Sequence, residues 1–375
     1  MRVLMITTSH KWDDTRIFWL ESCNLRRLGI EVTVLAVNCD SEHSQKNGIQ
    51  IAALGRKRGR LGRFVLNPAE AVQYCRHHAS DYDVLHVHDS EMLPWIGRLK
   101  RVTNRPVVYD MHEFLPDVVS VRSWVPLCLR RSLVDIADAM EHRGIGNASA
   151  AVVVNELGEK RARQLGAKDV AIFMGVPARA EAEGSAAYDS SRTGVAYVGG
   201  VARIRGADTI ADVAPTVFAS HGCRVVVAGP LQDETARTAV GLEAIDYRGI
   251  LTRPEVRLVL NEAAVGWLPL HHTPNHEKGW ALKLGEYMAA GLPVVASDLE
   301  YCASIVNRCD CGIVVRADDA NAHLDALSYL LRNRDEAKRL GANGKKAILE
   351  EMNAEAYALK LRDLYERLLS GIAVS

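Results

Sequence analysis

Short apolar runs, each followed by a stretch of helical periodicity, recur along the whole chain, and this rhythm restricts its fold more than any other feature. Val3–Thr7 reads as a strand, followed by a helix over about Thr15–Leu28 that Gly29 ends, and then by a strand over Glu31–Val37. The pattern returns at Val84–His88 with a helix from Asp89 or Ser90, at Val107–Asp110, and at Ala151–Val154 with a helix to about Leu165. Such alternation predicts βαβ units and parallel sheets. At Gly175-Val-Pro177 it breaks. The stretch 178–192, rich in Ala, Glu, Gly and Ser without apolar periodicity, reads as a linker. A second series follows: strand Gly194–Val198, a helix from about Ala207, then strands Arg224–Ala228 and Val265–Leu268. A helix over Ala281–Ala290 and a strand at Pro293–Ala296 complete it, before a helical tail from about Asp335 to Leu369. The expected fold class is α/β, with two Rossmann-like, doubly wound domains and C-terminal helices. The boundaries are 1–178, a linker over 179–192, a second domain over 193–355, and a helix over 356–375 that would pack back on the first domain.

At 375 residues the chain suits two such domains. Forty-six Lys and Arg balance forty-six Asp and Glu, so no global field recruits nucleic acid. The opening MRVLMITTSHK is too short an apolar run for a secretion signal. No run of about 18 apolar residues offers a bilayer span. Eight scattered cysteines make no disulfide framework, and Cys309-x-Cys311 lacks a second pair at zinc spacing. A cytoplasmic protein with reduced thiols is expected.

Doubly wound sheets bind ligands at the carboxyl ends of their strands, and two facing domains would put a cleft there. Two stretches at such ends suit a nucleotide. Tyr197-Val-Gly-Gly-Val-Ala-Arg-Ile-Arg-Gly-Ala-Asp208 follows a strand and opens a helix. Gly199 and Gly200 admit close backbone approach, while Arg203 and Arg205 add positive charge beside a helix N-terminus, which suits a diphosphate. A Gly-rich turn with solvated arginines fits the same residues. Neither the G-x-G-x-x-G fingerprint nor a G-x-x-x-x-G-K-[ST] loop is present. In Lys283-Leu-Gly-Glu286 the lysine and glutamate share a helix face, as phosphate and ribose ligands or as an exposed ion pair. Ser297-Asp298 ends the next strand, where a carboxylate can accept ribose hydroxyls. Asp81-x-Asp83 mimics a metal-binding D-x-D, but it precedes its strand, away from any ligand crevice, and is set aside. Arg56-Lys-Arg-Gly-Arg-Leu-Gly-Arg63 holds five cations in eight residues. It reads as a solvated loop, a site for an anionic acceptor, or a contact with anionic lipid. Trp124-Val-Pro-Leu-Cys-Leu-Arg-Arg131 would add an apolar contact there or belong to the core.

Together these stretches resemble GT-B glycosyltransferases, most closely the retaining group called family 4. The resemblance rests on Gly-Gly-x-x-x-Ile-Arg-Gly and on Glu286-Tyr-Met-Ala-Ala-Gly-Leu-Pro-Val-Val-Ala-Ser297. It rests also on Asp14-Thr-Arg-Ile-Phe18, Tyr82-Asp-Val-Leu-His-Val-His-Asp89 and Tyr109-Asp-Met-His-Glu113 in the first half. It implies transfer of a sugar from a nucleotide-sugar, UDP-linked by prevalence, to a hydroxyl of a small molecule, lipid-linked sugar or polysaccharide. No metal or other cofactor is expected. Arg203 and Arg205 would neutralise the leaving diphosphate, Arg205 replacing the usual lysine. Glu286 falls on the second position of the family's E-x7-E motif and would bind ribose. The first position falls on Lys278, with Glu277 one residue out of register. Lys283 matches a lysine that many relatives carry. His112 would be the active-site histidine, with His10, Asp14, Arg16 and Glu113 as acceptor-side candidates and His86 and His88 behind them. The family's Gly-Gly after the first strand is here Thr8-Ser-His10. Two other readings share this architecture: a nucleotide-sugar epimerase, and a non-catalytic nucleotide-sugar binding subunit.

Overall fold

The computed structural model describes residues 1–37, 45–55, 59, 62–122, 125–189 and 191–372. The chain divides into two compact units: unit 1 comprises Met1–Gly175 with Ala354–Ser375, and unit 2 comprises Val176–Asn353.

Unit 1 is built on eight strands: β1 (Arg2–Ile6), β2 (Glu31–Val37), β3 (Gln45–Lys46), β4 (Ile49–Leu54), β5 (Val84–Val87), β6 (Val107–Met111), β7 (Ala150–Val153) and β8 (Val170–Ile172). Their order is β3-β4-β2-β1-β5-β6-β7-β8, parallel throughout except for the short β3–β4 hairpin. β1, β5, β6 and β7 are buried on both faces because helices cover both; Leu4, Ile6, Leu85, Val87, Val107 and Val153 are fully buried. The last helix, Ala354–Ile372, closes this unit: Leu361, Leu364 and Tyr365 are fully buried, and the Tyr365 hydroxyl lies 2.8 Å from His86 Nδ1.

Unit 2 carries β9 (Val195–Val198), β10 (Val225–Ala228), β11 (Ile245–Tyr247), β12 (Val265–Leu268), β13 (Val294–Ser297) and β14 (Gly312–Val315), all parallel in the order β11-β10-β9-β12-β13-β14. In both sheets the chain winds outward in one direction and then in the other. The reversal falls between β1 and β5 in unit 1 and between β9 and β12 in unit 2. These are the switch points at which a doubly wound sheet opens a crevice.

The stretch expected as a linker is structured. Residues Arg179–Glu183 form a helical turn, and Glu181 pairs with Arg253 at 2.7 Å. Tyr188 donates to the Ala264 carbonyl (3.1 Å), while buried Arg192 donates to the carbonyls of Ala186 (2.8 Å) and Ala290 (3.2 Å). Low apolar periodicity concealed this because the segment is anchored by single side chains, not by a helical stripe. Four cations of the basic run, Arg56, Lys57, Arg58 and Arg60, lie outside the described residues, as does Trp124. Arg63 is described and pairs with Glu91, at 2.5 Å. Among the described residues no helix is long and apolar enough to cross a membrane.

Candidate active site

At the switch point of unit 2, β9 runs directly into Gly199 and Gly200. Gly199 adopts φ +108°, a conformation that side chains resist, and a Cβ there would lie 3.2 Å from Lys283 Cε. A Cβ on Gly200 would lie 3.0 Å from Arg205 Nη1. The two glycines therefore leave room for two cationic side chains to reach the strand end. Lys283, on the helix Leu282–Ala289, is buried; its Nζ stands 3.7 Å from the centre of the Tyr197 ring and has no hydrogen-bond partner among the described residues. An exposed i, i+3 ion pair with Glu286 is thus not what this lysine makes. Burial, with Arg205 nearby, holds its amine well below the usual lysine range, outweighing the pull of Glu286. Burial likewise raises the Glu286 carboxyl above its ordinary value despite Arg253. A buried amine without an acceptor beside a half-buried arginine forms a cradle suited to an anion.

Arg203 lies on the same turn, Arg203–Arg205, but its side chain is 72% exposed and turns to Asp208, at 3.4 Å. Sequence reasoning missed the groups that fix this turn. His271, just beyond β12, donates its backbone N–H to the Ile204 carbonyl (3.1 Å), and its Nε2 lies 3.0 Å from Asp208 Oδ1. A histidine following a strand's carboxyl end was the available signal. Glu277 is tied to His272 and accepts from the backbone N–H of Glu300 (2.9 Å), the first residue of the helix Glu300–Cys309. His272 Nε2 is 3.1 Å from Asp298.

In unit 1 the named residues split into two groups. His10, after β1, pairs with Asp89, after β5, at 2.7 Å. His112, after β6, is partly exposed, with Nδ1 buried, 4.0 Å from Asp110 Oδ1 and without a hydrogen-bond partner among the described residues. The rings of His10 and His112 lie edge to face, 6.3 Å between centres. Glu113 is exposed. The other candidates face inward. Asp14 caps the helix Thr15–Ser22, accepting from the Arg16 (2.9 Å) and Ile17 (3.1 Å) backbone N–H groups. Arg16 is buried and grips Asp110 through Nε (2.7 Å) and Nη2 (2.9 Å) while donating to the Phe173 carbonyl (3.0 Å). Nearby, His88 Nδ1 lies 3.1 Å from Asp110 Oδ2. Burial alone would raise Asp110, but Arg16 and His88 outweigh it and hold the carboxyl well below the usual carboxylate range. Glu21 is pushed well above its usual range by burial and by Asp110, against the pull of Arg16. Burial lowers His86 and His88, which stay uncharged. Glu21, His86, His88 and Asp110 bring ligand-type atoms within 4.8 Å of one another. The cation they surround is Arg16, 3.1 Å from Glu21, and a metal ion there would have to displace or repel it. Asp83 of the D-x-D look-alike pairs with Arg2 at 2.9 Å, a structural contact.

A family model described as glycosyl transferases group 1 matches residues 192–333, and one described as a glycosyl transferase 4-like domain matches residues 21–174. The chain belongs to the group 1 glycosyltransferases. The phosphatidyl-myo-inositol mannosyltransferase of Mycobacterium leprae is 27% identical over 286 residues, 72% of this chain and 69% of that protein. The lipopolysaccharide core biosynthesis mannosyltransferase LpsB of Rhizobium meliloti is 30% identical over 104 residues, covering 27% and 30% of the two chains. Among solved structures, the sucrose-phosphate synthase of Thermosynechococcus elongatus superposes with a TM-score of 0.77 at 17% identity, over 99% of each chain. Anabaena Alr3699/HepE in complex with UDP gives 0.71 at 13% identity, over 98% and 100%. Each unit of this glycosyltransferase is a Rossmann-like domain, and the fold is of GT-B type. A cavity of about 550 Å³ opens at the other end of the unit 2 sheet, before β9 and β10, lined by Gly194, Arg224, Arg248 and Arg334 among others. Its place at the amino ends of the strands sets it apart from the crevice where this fold binds ligands.

Proposed function

We propose that the protein transfers a sugar from a nucleoside-diphosphate donor, UDP-linked, to an acceptor hydroxyl with retention of configuration. The observation that carries this reading is the buried Lys283 amine, without a hydrogen-bond partner among the described residues, beside Arg205 at the glycine-lined end of β9. Cleavage of the glycosyl–phosphate bond builds negative charge on the departing diphosphate. Lys283 and Arg205 stabilise that charge from fixed positions, with the exposed Arg203 adding to the field, and preorganised charge of this kind is a large part of such rate enhancements. Glu286 accepts the ribose hydroxyls. No carboxylate nucleophile is required when departure and attack share one face of the sugar and the leaving phosphate takes the acceptor proton. Because the two cations serve the diphosphate, no metal is needed, and activity is expected to survive excess chelator.

Solved complexes of Anabaena Alr3699/HepE with UDP and with UDP-glucose support a uridine donor. The mannosyltransferase relatives support an acceptor that is a lipid or a lipid-linked glycan. Attachment to an anionic membrane surface through Arg56–Arg63 fits such an acceptor. Phe64, Val65 and Leu66, which follow that run, are half exposed. A thermal-shift screen of UDP-, GDP- and ADP-sugars tests the donor, with UDP-sugars expected to stabilise most. Incubating the stabilising donor alone separates transfer from epimerisation, since an epimerase converts its nucleotide-sugar without an acceptor. Stabilisation by none of the three classes would overturn the reading.

A further inference from the structure

Unit 1 has its own switch point, between β1 and β5, and the two residues that meet there are His10 and Asp89. Asp89 is buried and fixed by the loop that follows β1: its Oδ2 accepts from the Thr7 hydroxyl (2.8 Å) and from the backbone N–H groups of Thr8 (2.5 Å) and Ser9 (3.1 Å). Its Oδ1 lies 2.7 Å from His10 Nδ1. Two consequences follow. The loop amides that a glycine-rich turn would offer to a phosphate are already occupied by Asp89. In their place the loop presents an imidazole whose Nδ1 is engaged and whose side chain is 41% exposed, leaving Nε2 as its second donor.

We propose that His10, held by Asp89, is a substrate-binding cation that takes a phosphate oxygen at the switch point of unit 1. This deepens the proposed transfer reaction and rests on it for the arrival of a phosphate-bearing substrate. The charged groups around the ring favour the imidazolium. Asp89 hydrogen-bonds it, and Asp14 and Glu91 act from further away, Asp14 as a helix cap and Glu91 as the partner of Arg63. His112 faces it from the end of β6. The hydrogen bond to Asp89 outweighs burial and raises His10 to about 9, while Asp89 falls to about 2 despite its burial. The ring is therefore charged at neutral pH and serves as an anion ligand, not as a base. The phosphate is one carried by the acceptor.

The test is NMR of the full chain labelled at histidine, with the His10 signals assigned by their loss in His10→Gln. Methyl phosphate stands for an acceptor phosphate and UDP for the donor's. The wild-type His10 ring is expected to titrate near pH 9. A saturating anion should raise that midpoint by about half a pH unit, the displacement that roughly threefold preference for the charged ring produces. In Asp89→Asn the midpoint should fall towards 6.5, and the response at pH 7.5 should weaken with it. Response to methyl phosphate supports the proposal; response to UDP alone overturns the assignment to an acceptor phosphate. If neither anion moves the His10 signals while UDP still raises the melting temperature, the His10 assignment is overturned and the donor site stands. If UDP has no effect on melting but methyl phosphate moves His10, the donor reading falls and His10 remains.

Discussion

Replacing Lys283 with methionine should make the protein more stable and a poorer binder of its donor, and the opposite signs follow from one observation. The amine is buried, stands over the Tyr197 ring and has no hydrogen-bond partner among the described residues. Methionine matches the lysine stem in length and removes the buried polar group, whose lack of a partner costs about 1–3 kcal/mol. At roughly 2–4 °C per kcal/mol for a domain of 150–250 residues, unit 2 should melt several degrees higher. In the complex the amine gains a phosphate. A charge-assisted hydrogen bond is worth about 1.5–3 kcal/mol, so UDP should bind Lys283→Met about 10- to 150-fold more weakly. The stability gain has a definite pH dependence. Lys283 in the folded protein lies below its ordinary value of 10.5. The folded state therefore binds this proton less readily than the unfolded chain does, and the penalty is complete below the folded value. It fades as the pH rises to 10.5, so the advantage of methionine should shrink over that interval. Calorimetric melting of the free proteins from pH 7 to 10.5, with titration of UDP at pH 7.5, measures both effects. A variant that melts lower than wild type and binds UDP equally well would refute the anion-cradle reading and make Lys283 a packing residue.

Arg16→Ala should cost about 3–5 kcal/mol of stability, because it strands the buried Asp110 carboxylate. Denaturant unfolding reads the loss, and adding Asp110→Asn should recover part of it; a neutral Arg16→Ala would show that the buried network contributes nothing. Glu286→Ala should weaken UDP binding roughly tenfold or more while leaving 2′,3′-dideoxy-UDP nearly unaffected. A mutant that still discriminates against the dideoxy nucleotide as wild type does would remove Glu286 from the ribose. His112→Ala should lower turnover with UDP binding and melting temperature retained, and a large fall in melting temperature with normal turnover would make His112 structural.

The parallel sheets were legible because alternation of strand and helix is written locally, in runs of a few residues. So was the glycine- and arginine-bearing turn after β9, since Gly199, Gly200, Arg203 and Arg205 are neighbours in sequence. Residues that depend on distant partners were not. Arg16 reads as an acceptor-side candidate, with His86 and His88 behind it, because these residues are polar. In the fold Arg16 meets Asp110, 94 residues away, and becomes part of a buried charge network. His10 and Asp89 are drawn together only by the β1–β5 pairing. The segment 179–192 read as a linker because its anchors, Tyr188 and Arg192, bond to carbonyls that no sequence pattern reveals.

Whether unit 2 receives a nucleoside diphosphate at the carboxyl end of β9 is decided by a crystal structure of the protein with UDP. Phosphate oxygens are expected within hydrogen-bond distance of Lys283 Nζ and the Arg205 guanidinium, with the ribose against Glu286. UDP found instead at the opposite end of the sheet, in the cavity lined by Arg224, Arg248 and Arg334, would contradict this expectation.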